Sequence, residues 1–579
     1  MFRLSLFLPA AVLALPIAAA PAPKELPVAE WSMFGGTPSR NMVNTRERLA
    51  KVPKSCPDWE SRADVEKWES EWVLWKARLG SRTHGGPIVA GGRVYVGTNN
   101  DHPRNTRDTE KGPDGSVEAA QKGALMCFDA TTGKFLWQAV HDKLTEDVAI
   151  AVCHLGWGNS GIPSSPTVIG NRVYYVGHDC RVVCADVNGF ADGNQGFQNE
   201  KYKDATDADV IWQYDMRREL KVFTHQLTNC SPLVVGDRIF ICTGNGVGLD
   251  YIKVPAPDAP ALICLDRETG KLLWKDGSPG KNILQGQWCS PAYAAEPVPQ
   301  VIHGQGDGWL RAFDPATGKL LWKFDGNRKG AQYDLGGHGD RSDFLAAPVV
   351  HNGRVYIGTG QDPQNGTGPA HLWCIDLKKA VEFGAKSPDH DVSRDLLVRI
   401  EKRENEAKVV TKPNPASALA WVYGGPDDRT WTPRDFRFGR TLSTVAVVDD
   451  IVYAAELNGD LHCLNANTGD FYWRYALEGS VWGSPYYVDG KVLVATDAGD
   501  LLIFRHTNRP DRIDAIEEAK NEPNKEAAKA TRATACKRLE AKYLLARIEF
   551  PAPIHTTPTV VNGVLYVATD DTLYALKTK

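Results

Sequence analysis

The loop Gly336-Gly337-His338-Gly339-Asp340-Arg341 sets an imidazole, a carboxylate and a guanidinium close together. Such a trio exchanges protons near neutral pH or holds a polar ligand. Thr243-Gly244-Asn245-Gly246 presents an amide in a tight turn, and Trp288 presents an indole behind Gln285-Gly286-Gln287. Asn245, Trp288, His338, Asp340 and Arg341 are therefore the candidate cofactor- or ligand-binding residues. Spacing alone assigns no catalytic residue and no metal ligand. Further polar groups are Asn99, Asn100, Asp101, His102, His154, His225, Gln287, Gln361, Asp362, Glu456 and Asp497, at strand ends or in the loops that follow. Taken singly, such residues are ordinarily just solvated. Gathered around one axis they would make a ligand or ion site.

The element that positions these residues is a repeat running through almost the whole chain. Seven times a Trp follows a short turn and one or two apolar residues: Trp75, Trp137, Trp212, Trp274, Trp322, Trp421 and Trp473. Full copies read Leu265-Asp-Arg-Glu-Thr-Gly-Lys-Leu-Leu-Trp274 and Phe313-Asp-Pro-Ala-Thr-Gly-Lys-Leu-Leu-Trp322. A recurring element of this kind marks a repeat architecture. Each unit reads as four short antiparallel strands, the third ending in Asp and the fourth, after the Thr-Gly turn, carrying the Trp. Apolar residues on both faces mean that each sheet packs between two neighbours, the pattern of a propeller blade. First-strand openings fall at Pro87, Pro166, Pro232, Pro291, Pro348, Pro485 and Pro558, with Ser443-Thr444-Val445 opening one blade without Pro. The predicted fold is all-β, an eight-bladed β-propeller of four-stranded blades. The last blade lacks its Trp strand. Residues 71–79 supply it by pairing with 572–576, so N- and C-terminal strands share a blade and close the ring.

The Ala-x-Thr-Gly-Lys-x-x-Trp element resembles the repeat of the pyrroloquinoline quinone (PQQ) propeller superfamily, which includes the quinoprotein alcohol dehydrogenases. The resemblance starts near Trp31, where Trp31-Ser-Met-Phe-Gly-Gly36 with Arg40 is similar to that family's N-terminal segment, and runs to the C-terminus. In style the chain is most similar to secreted planctomycete-type PQQ-like repeat proteins. One fold hosts many functions, so the resemblance speaks to fold before activity. For activity it implies a PQQ site with Ca²⁺ held by Glu, Asn and Asp, a catalytic Asp, a Trp beneath the quinone and a vicinal disulfide above it. Thr243-Gly244-Asn245-Gly246 resembles the segment whose Asn ligates the metal. Where the family carries a Trp-Asp pair with the base, this chain reads Gln287-Trp288. Gln can neither abstract a proton nor neutralise Ca²⁺. No Glu ligand stands beside Gly177-His178-Asp179, and there is no Cys-Cys dipeptide. Ordinary alcohol oxidation is disfavoured, while PQQ and calcium stay open as cofactors.

Composition narrows the rest. Arg3 followed by an apolar run over residues 4–17 and Ala18-Ala19-Ala20 reads as a signal peptide over residues 1–20. That run is shorter than the ~20 residues a bilayer span needs. Residues 21–70 form an N-terminal extension and 71–579 the propeller, with insertions at 377–418 and 511–542. The first insertion is expected to be partly disordered, the second a solvent-exposed helix broken near Pro523. No transmembrane segment follows, so the mature chain is expected to be periplasmic or secreted, and a monomer. The formal charge of −4 gives no basic field for nucleic acid. Twelve Cys in an exported chain invite disulfides. However, Cys127, Cys184, Cys264, Cys374 and Cys463 share one register of successive blades, too far apart to bridge, and read as small buried hydrophobes. Cys230 and Cys242 lie on neighbouring strands, and their pairing stays open.

Loops 98–123, 141–163, 217–230, 243–260, 325–344 and 424–441 are long and fall on one face, whereas the opposite turns are short. A protein or small-molecule ligand is expected at that long-loop face. The favoured expectation is an exported binding or scaffold module; the alternative is a degenerate quinoprotein oxidoreductase dependent on PQQ and calcium. Alanine at Asn245 plus Arg341 is expected to weaken binding at nearly constant melting temperature.

Overall fold

A computed structural model describes residues 30–578, except 145–159, 249, 338, 388, 404–405, 428 and 430–431. The signal-peptide expectation and His338 and His154 fall outside the described residues. Eight antiparallel blades follow one another in chain order, each with its strands in spatial sequence from first to fourth. In blade eight the fourth strand is Val73–Arg78, paired with Thr572–Lys577, with Trp75 opposite Ala575 and Arg78 opposite Thr572. The ring closes as the sequence predicts, except that Glu71 and Trp72 end the helix Arg62–Trp72.

Each blade is organised around a row of three side chains. In blade one Tyr95 faces Cys127, which faces Trp137. Blade three has Phe240, Cys264 and Trp274, and blade five Tyr356, Cys374 and Trp421. The two rings meet over the small residue, with centroids 5.9, 5.7 and 5.9 Å apart. Aromatic pairs at that spacing add about 0.5–1.5 kcal/mol beyond burial. Cys fits there because a larger side chain would hold the rings apart; blade seven, which has no ring pair, carries Ile503 instead. All these cysteines are buried free thiols, and so are Cys230 and Cys242.

The Trp also docks the next blade. Trp274 Nε1 donates to Pro315 O at 2.9 Å, and its ring lies on Gly318, where a Cβ would come within 2.7 Å. Trp212 treats Arg267 O and Gly270 alike. The Gly of the Thr-Gly turn thus answers two demands, a φ near +70° and an approaching indole. The Asp that ends the third strand ties the same turn: Asp266 accepts from Thr269 N at 2.8 Å, and Asp314 from Thr317 N at 2.8 Å.

Insertions replace this turn in blades two, five and seven. Residues 377–418 fold as the helix Leu377–Lys386 and a hairpin of Asp395–Arg403 with Glu406–Pro413, so ordered structure stands where a partly disordered loop is expected. Amphipathic character explains this: Leu377, Ala380 and Gly384 are buried on the helix, which packs against Trp322. In blade seven the helices Ala515–Ala519 and Lys525–Tyr543 flank Pro523, and Tyr543 stacks on Trp473 at 5.4 Å. Each insertion also pairs in parallel with the outer strand of the preceding blade, at Gln138–Asp207, Lys323–Asp391 and Trp473–Ile513.

Residues 31–44 form a strap across the channel that bonds to every blade. Trp31 pairs with Val89 in blade one, and Ser32 O accepts from Val168 N in blade two. Arg40 reaches Ser231 O in blade three at 2.9 Å. Pro38 O, Ser39 O and Met42 O accept from Tyr293, Val350 and Tyr487 of blades four, five and seven. The Asn41 amide clasps Val447 of blade six, and Asn44 donates to Val560 O of blade eight.

Candidate functional site

Blade openings build the channel mouth. In every blade the residue three places before the opening position lines one cavity of about 180 Å³, and so does the residue immediately before it. The first ring reads His84, Pro163, Asn229, Trp288, Leu345, Leu442, Trp482 and His555. The second reads Gly86, Ser165, Ser231, Ser290, Ala347, Thr444, Ser484 and Thr557. Phe34 of the strap completes the lining.

The second ring is a belt of hydrogen bonds between blades. Ser165 N donates to Ser231 Oγ at 3.1 Å and Ser231 N to Ser290 Oγ at 2.9 Å. Ala347 N, Thr444 N and Ser484 N donate to Thr444 Oγ1, Ser484 Oγ and Thr557 Oγ1 at 3.2, 3.0 and 2.9 Å. This is what the Ser/Thr-Pro opening is for. Pro holds the residue before it extended, and that residue's N–H finds its acceptor on the next blade.

The first ring is lopsided. Blades seven, eight and one supply Trp482, His555 and His84, whose rings lie 4.9–5.9 Å apart. His555 Nδ1 meets Asp570 Oδ1 at 2.7 Å, and Trp482 Nε1 donates to Asp497 Oδ2 at 3.3 Å. Burial, and then the neighbouring His555, push His84 down to about 3, so its ring is neutral. Blades five and six, which lead up to blade seven in the ring, supply Leu345 and Leu442. Asp362 is the acidic lining residue, and burial lifts its carboxyl to about 6. Behind it, burial and then Asp362 raise the carboxyl of Asp343 well above the usual range.

Of the sequence candidates, Trp288 lines the cavity and donates to Leu227 O at 3.1 Å. The others are not gathered with it. Asn245 is fully buried, accepting from Phe223 N at 3.0 Å and donating to Ala256 O at 2.9 Å. Arg341 is buried, bonded to Asp307 O and Asp325 Oδ1 at 2.8 Å each. Asp340 is exposed and pairs with Arg328. Since Asn245 and Arg341 hold the fold internally, their alanine variants are not neutral for stability. Gln287 sits beside Asn245, donating to its carbonyl at 3.1 Å. Among the described residues no three His, Cys, Asp or Glu side chains converge as a metal-binding group. His84, Trp482 and His555 escaped sequence reasoning, although the repeat marks them: each stands three places before an opening Pro.

The model of the family described as outer membrane protein assembly factor BamB matches residues 72–252, 203–332 and 408–509. The dehydrogenase subunit of the quinone alcohol dehydrogenase of Gluconobacter oxydans is 22% identical over 75% of this chain and 54% of its own length. The polyvinylalcohol dehydrogenase of a Sphingopyxis species is 27% identical over 46% of this chain and 38% of its own. This chain therefore spans about half, or less, of these two relatives. Tetrathionate hydrolase of Acidithiobacillus ferrooxidans is 23% identical over 62% of this chain and 74% of its own length. Among solved structures, a europium-containing methanol dehydrogenase superposes with a TM-score of 0.51 at 12% identity, over 93% of this chain and 89% of that one. With blades, Trp docking and family model in agreement over more than half its length, the chain belongs to the PQQ-like propeller family described as outer membrane protein assembly factor BamB.

Proposed function

We propose that this protein is an exported binding or scaffold module that works through its long-loop face. The observation that carries this reading is the exposure of large apolar side chains on three of the long loops. Val117 is 75% exposed, Ile252 76% and Tyr333 40%, around a mouth rimmed by Trp288 and Trp482. Exposed apolar anchors with a polar rim are what a partner buries. Export rests on the apolar leader at residues 4–17 and agrees with the outer-membrane description of the family. No helix among the described residues is long and apolar enough to cross a membrane.

The second reading, a degenerate quinoprotein oxidoreductase, rests on the relatives named as dehydrogenases. The residues present do not fit a calcium-held quinone. Asn245 spends its amide on Phe223 and Ala256, and Gln287 stands where a carboxylate is needed. The mouth cavity of about 180 Å³ is smaller than the roughly 300–1,000 Å³ of a site for a drug-sized ligand.

Two measurements test the proposal. Cross-linking in the native envelope should capture a specific partner in the wild type and lose it with Val117→Asp plus Ile252→Asp. Adding PQQ and Ca²⁺ to the purified chain should give no co-eluting quinone absorbance and no dye reduction by alcohols. Stoichiometric quinone with dye reduction would overturn the reading in favour of the oxidoreductase.

A further inference from the structure

A charge without a counter-ion lies beneath the cavity. Arg40 is fully buried, and its guanidinium bonds three backbone carbonyls, those of Phe34, Ser231 and Pro291, at 2.8–2.9 Å. Among the described residues no carboxylate pairs with it, and burial pulls it down to about 10. Buried charges are ordinarily paired, because the interior does not solvate them. Two of the three carbonyl partners, Phe34 and Ser231, also line the cavity.

The belt supplies donors around the same channel, Ser231 beside Arg40 and Thr444, Ser484 and Thr557 on blades six to eight. Ser231, Thr444, Ser484 and Thr557 each accept a backbone N–H with their hydroxyl oxygen, so each keeps its own O–H for another acceptor. No protein acceptor among the described residues takes these four hydrogens, and all four residues are buried. Unspent donors around the channel, together with an unpaired guanidinium at its blade-three side, attract negative charge. The adjoining arc of the first ring is apolar, with Leu345 and Leu442 on blades five and six. Asp362 is the one opposing charge on the lining, and its raised pKa lets it stand protonated in mildly acidic solution.

We propose that the cavity binds a small organic anion, with an oxyanion head among the hydroxyls of Ser231, Thr444, Ser484 and Thr557 above Arg40 and a short apolar body against Leu345 and Leu442. The head is a carboxylate or a sulfonate, since both present oxygens to hydroxyl donors, and the cavity volume limits the body to a few atoms. This inference rests on the long-loop face being the binding face.

Calorimetric titration of the full chain tests it with three probes of one shape: butyrate, 1-butanesulfonate and 1-butanol. At least one anion should bind one site, about tenfold tighter than 1-butanol; which anion binds tighter identifies the head. Ser484→Ala with Thr557→Val should weaken that binding about tenfold, whereas Ser484→Thr with Thr557→Ser, which keeps both hydroxyls, should retain it. Circular dichroism confirms that each variant is folded. Equal binding of 1-butanol and both anions would overturn the anionic class while leaving the cavity a binding site. No saturable binding by any probe, or anion binding indifferent to loss of the hydroxyls, overturns the proposal. Loss of the cross-linked partner in the loop variants with butyrate binding intact supports both readings separately. A partner retained in those variants refutes the docking reading alone.

Discussion

Blades three and five meet the same demand with different chain. In blade three the third strand ends at Asp266, whose carboxylate ties a Thr-Gly turn, and Gly270 takes the ring of Trp212. In blade five the third strand ends at Asp376, which instead caps the helix Leu377–Lys386 by accepting from Lys379 N at 2.9 Å. Gly384 of that helix then lies against Leu321 O and the Cβ of Trp322, not against its ring. These two blades therefore set a glycine from different chain against the preceding Trp, and blade seven sets the ring of Tyr543 there, so no particular turn is required. Once a helix offers that glycine, a hairpin can be inserted without opening the ring.

The strongest way to break this comparison is to remove the Trp from each class. Trp274→Ala and Trp322→Ala should each cost about 3–5 kcal/mol in denaturant unfolding. A loss at Trp322 near zero would mean that the helix does not replace the turn. Next come the glycines. Gly318→Ala faces both a positive φ and the Trp274 ring, and should cost about 2–3 kcal/mol. Gly384→Ala is sharper, because helix propensity alone favours Ala by about 1 kcal/mol. A Cβ there would come within 2.5 Å of Leu321 O, so we expect a net loss of about 1–2 kcal/mol. A stabilised Gly384→Ala protein would show that the helix stands off the blade. The smallest effect is expected for Tyr543→Leu, which keeps burial but loses the stack on Trp473, about 0.5–1.5 kcal/mol by thermal melting.

Fold and ring closure were legible because the Trp repeat encodes one contact many times over, and strand counting then closes the ring. The mouth was only half legible. Trp288 and Asp362 came out of the sequence, but Asn245 reads the same whether its amide faces a cavity or two backbone groups. His84 and His555 lie far apart in sequence, and only closing the ring brings their rings to 4.9 Å. In sequence the Ser/Thr-Pro openings read only as strand starts. Their hydroxyls belong to the neighbouring blade's hydrogen bonding, which no single repeat displays. The 377–418 insertion reads as partly disordered because its charges dominate its composition, while the buried face of its helix needs only Leu377, Ala380 and Gly384.

The strap has a bearing on how the molecule comes into being. Residues 31–44 precede every blade in the chain, yet they dock on blades whose first strands extend as far as Val561. While blades are still missing, the strap lacks most of its partners, and Trp31 lacks Tyr486, which lies 5.1 Å away edge-on. Contacts joining such distant parts of a chain form late and slowly. The last act of folding would therefore be concerted, with Val73–Arg78 joining Thr572–Lys577 as the strap seats across the channel. Until then the chain carries an unseated strap with Trp31 and Phe34 exposed, which makes assembly timing, rather than blade stability, the step most in need of a chaperone.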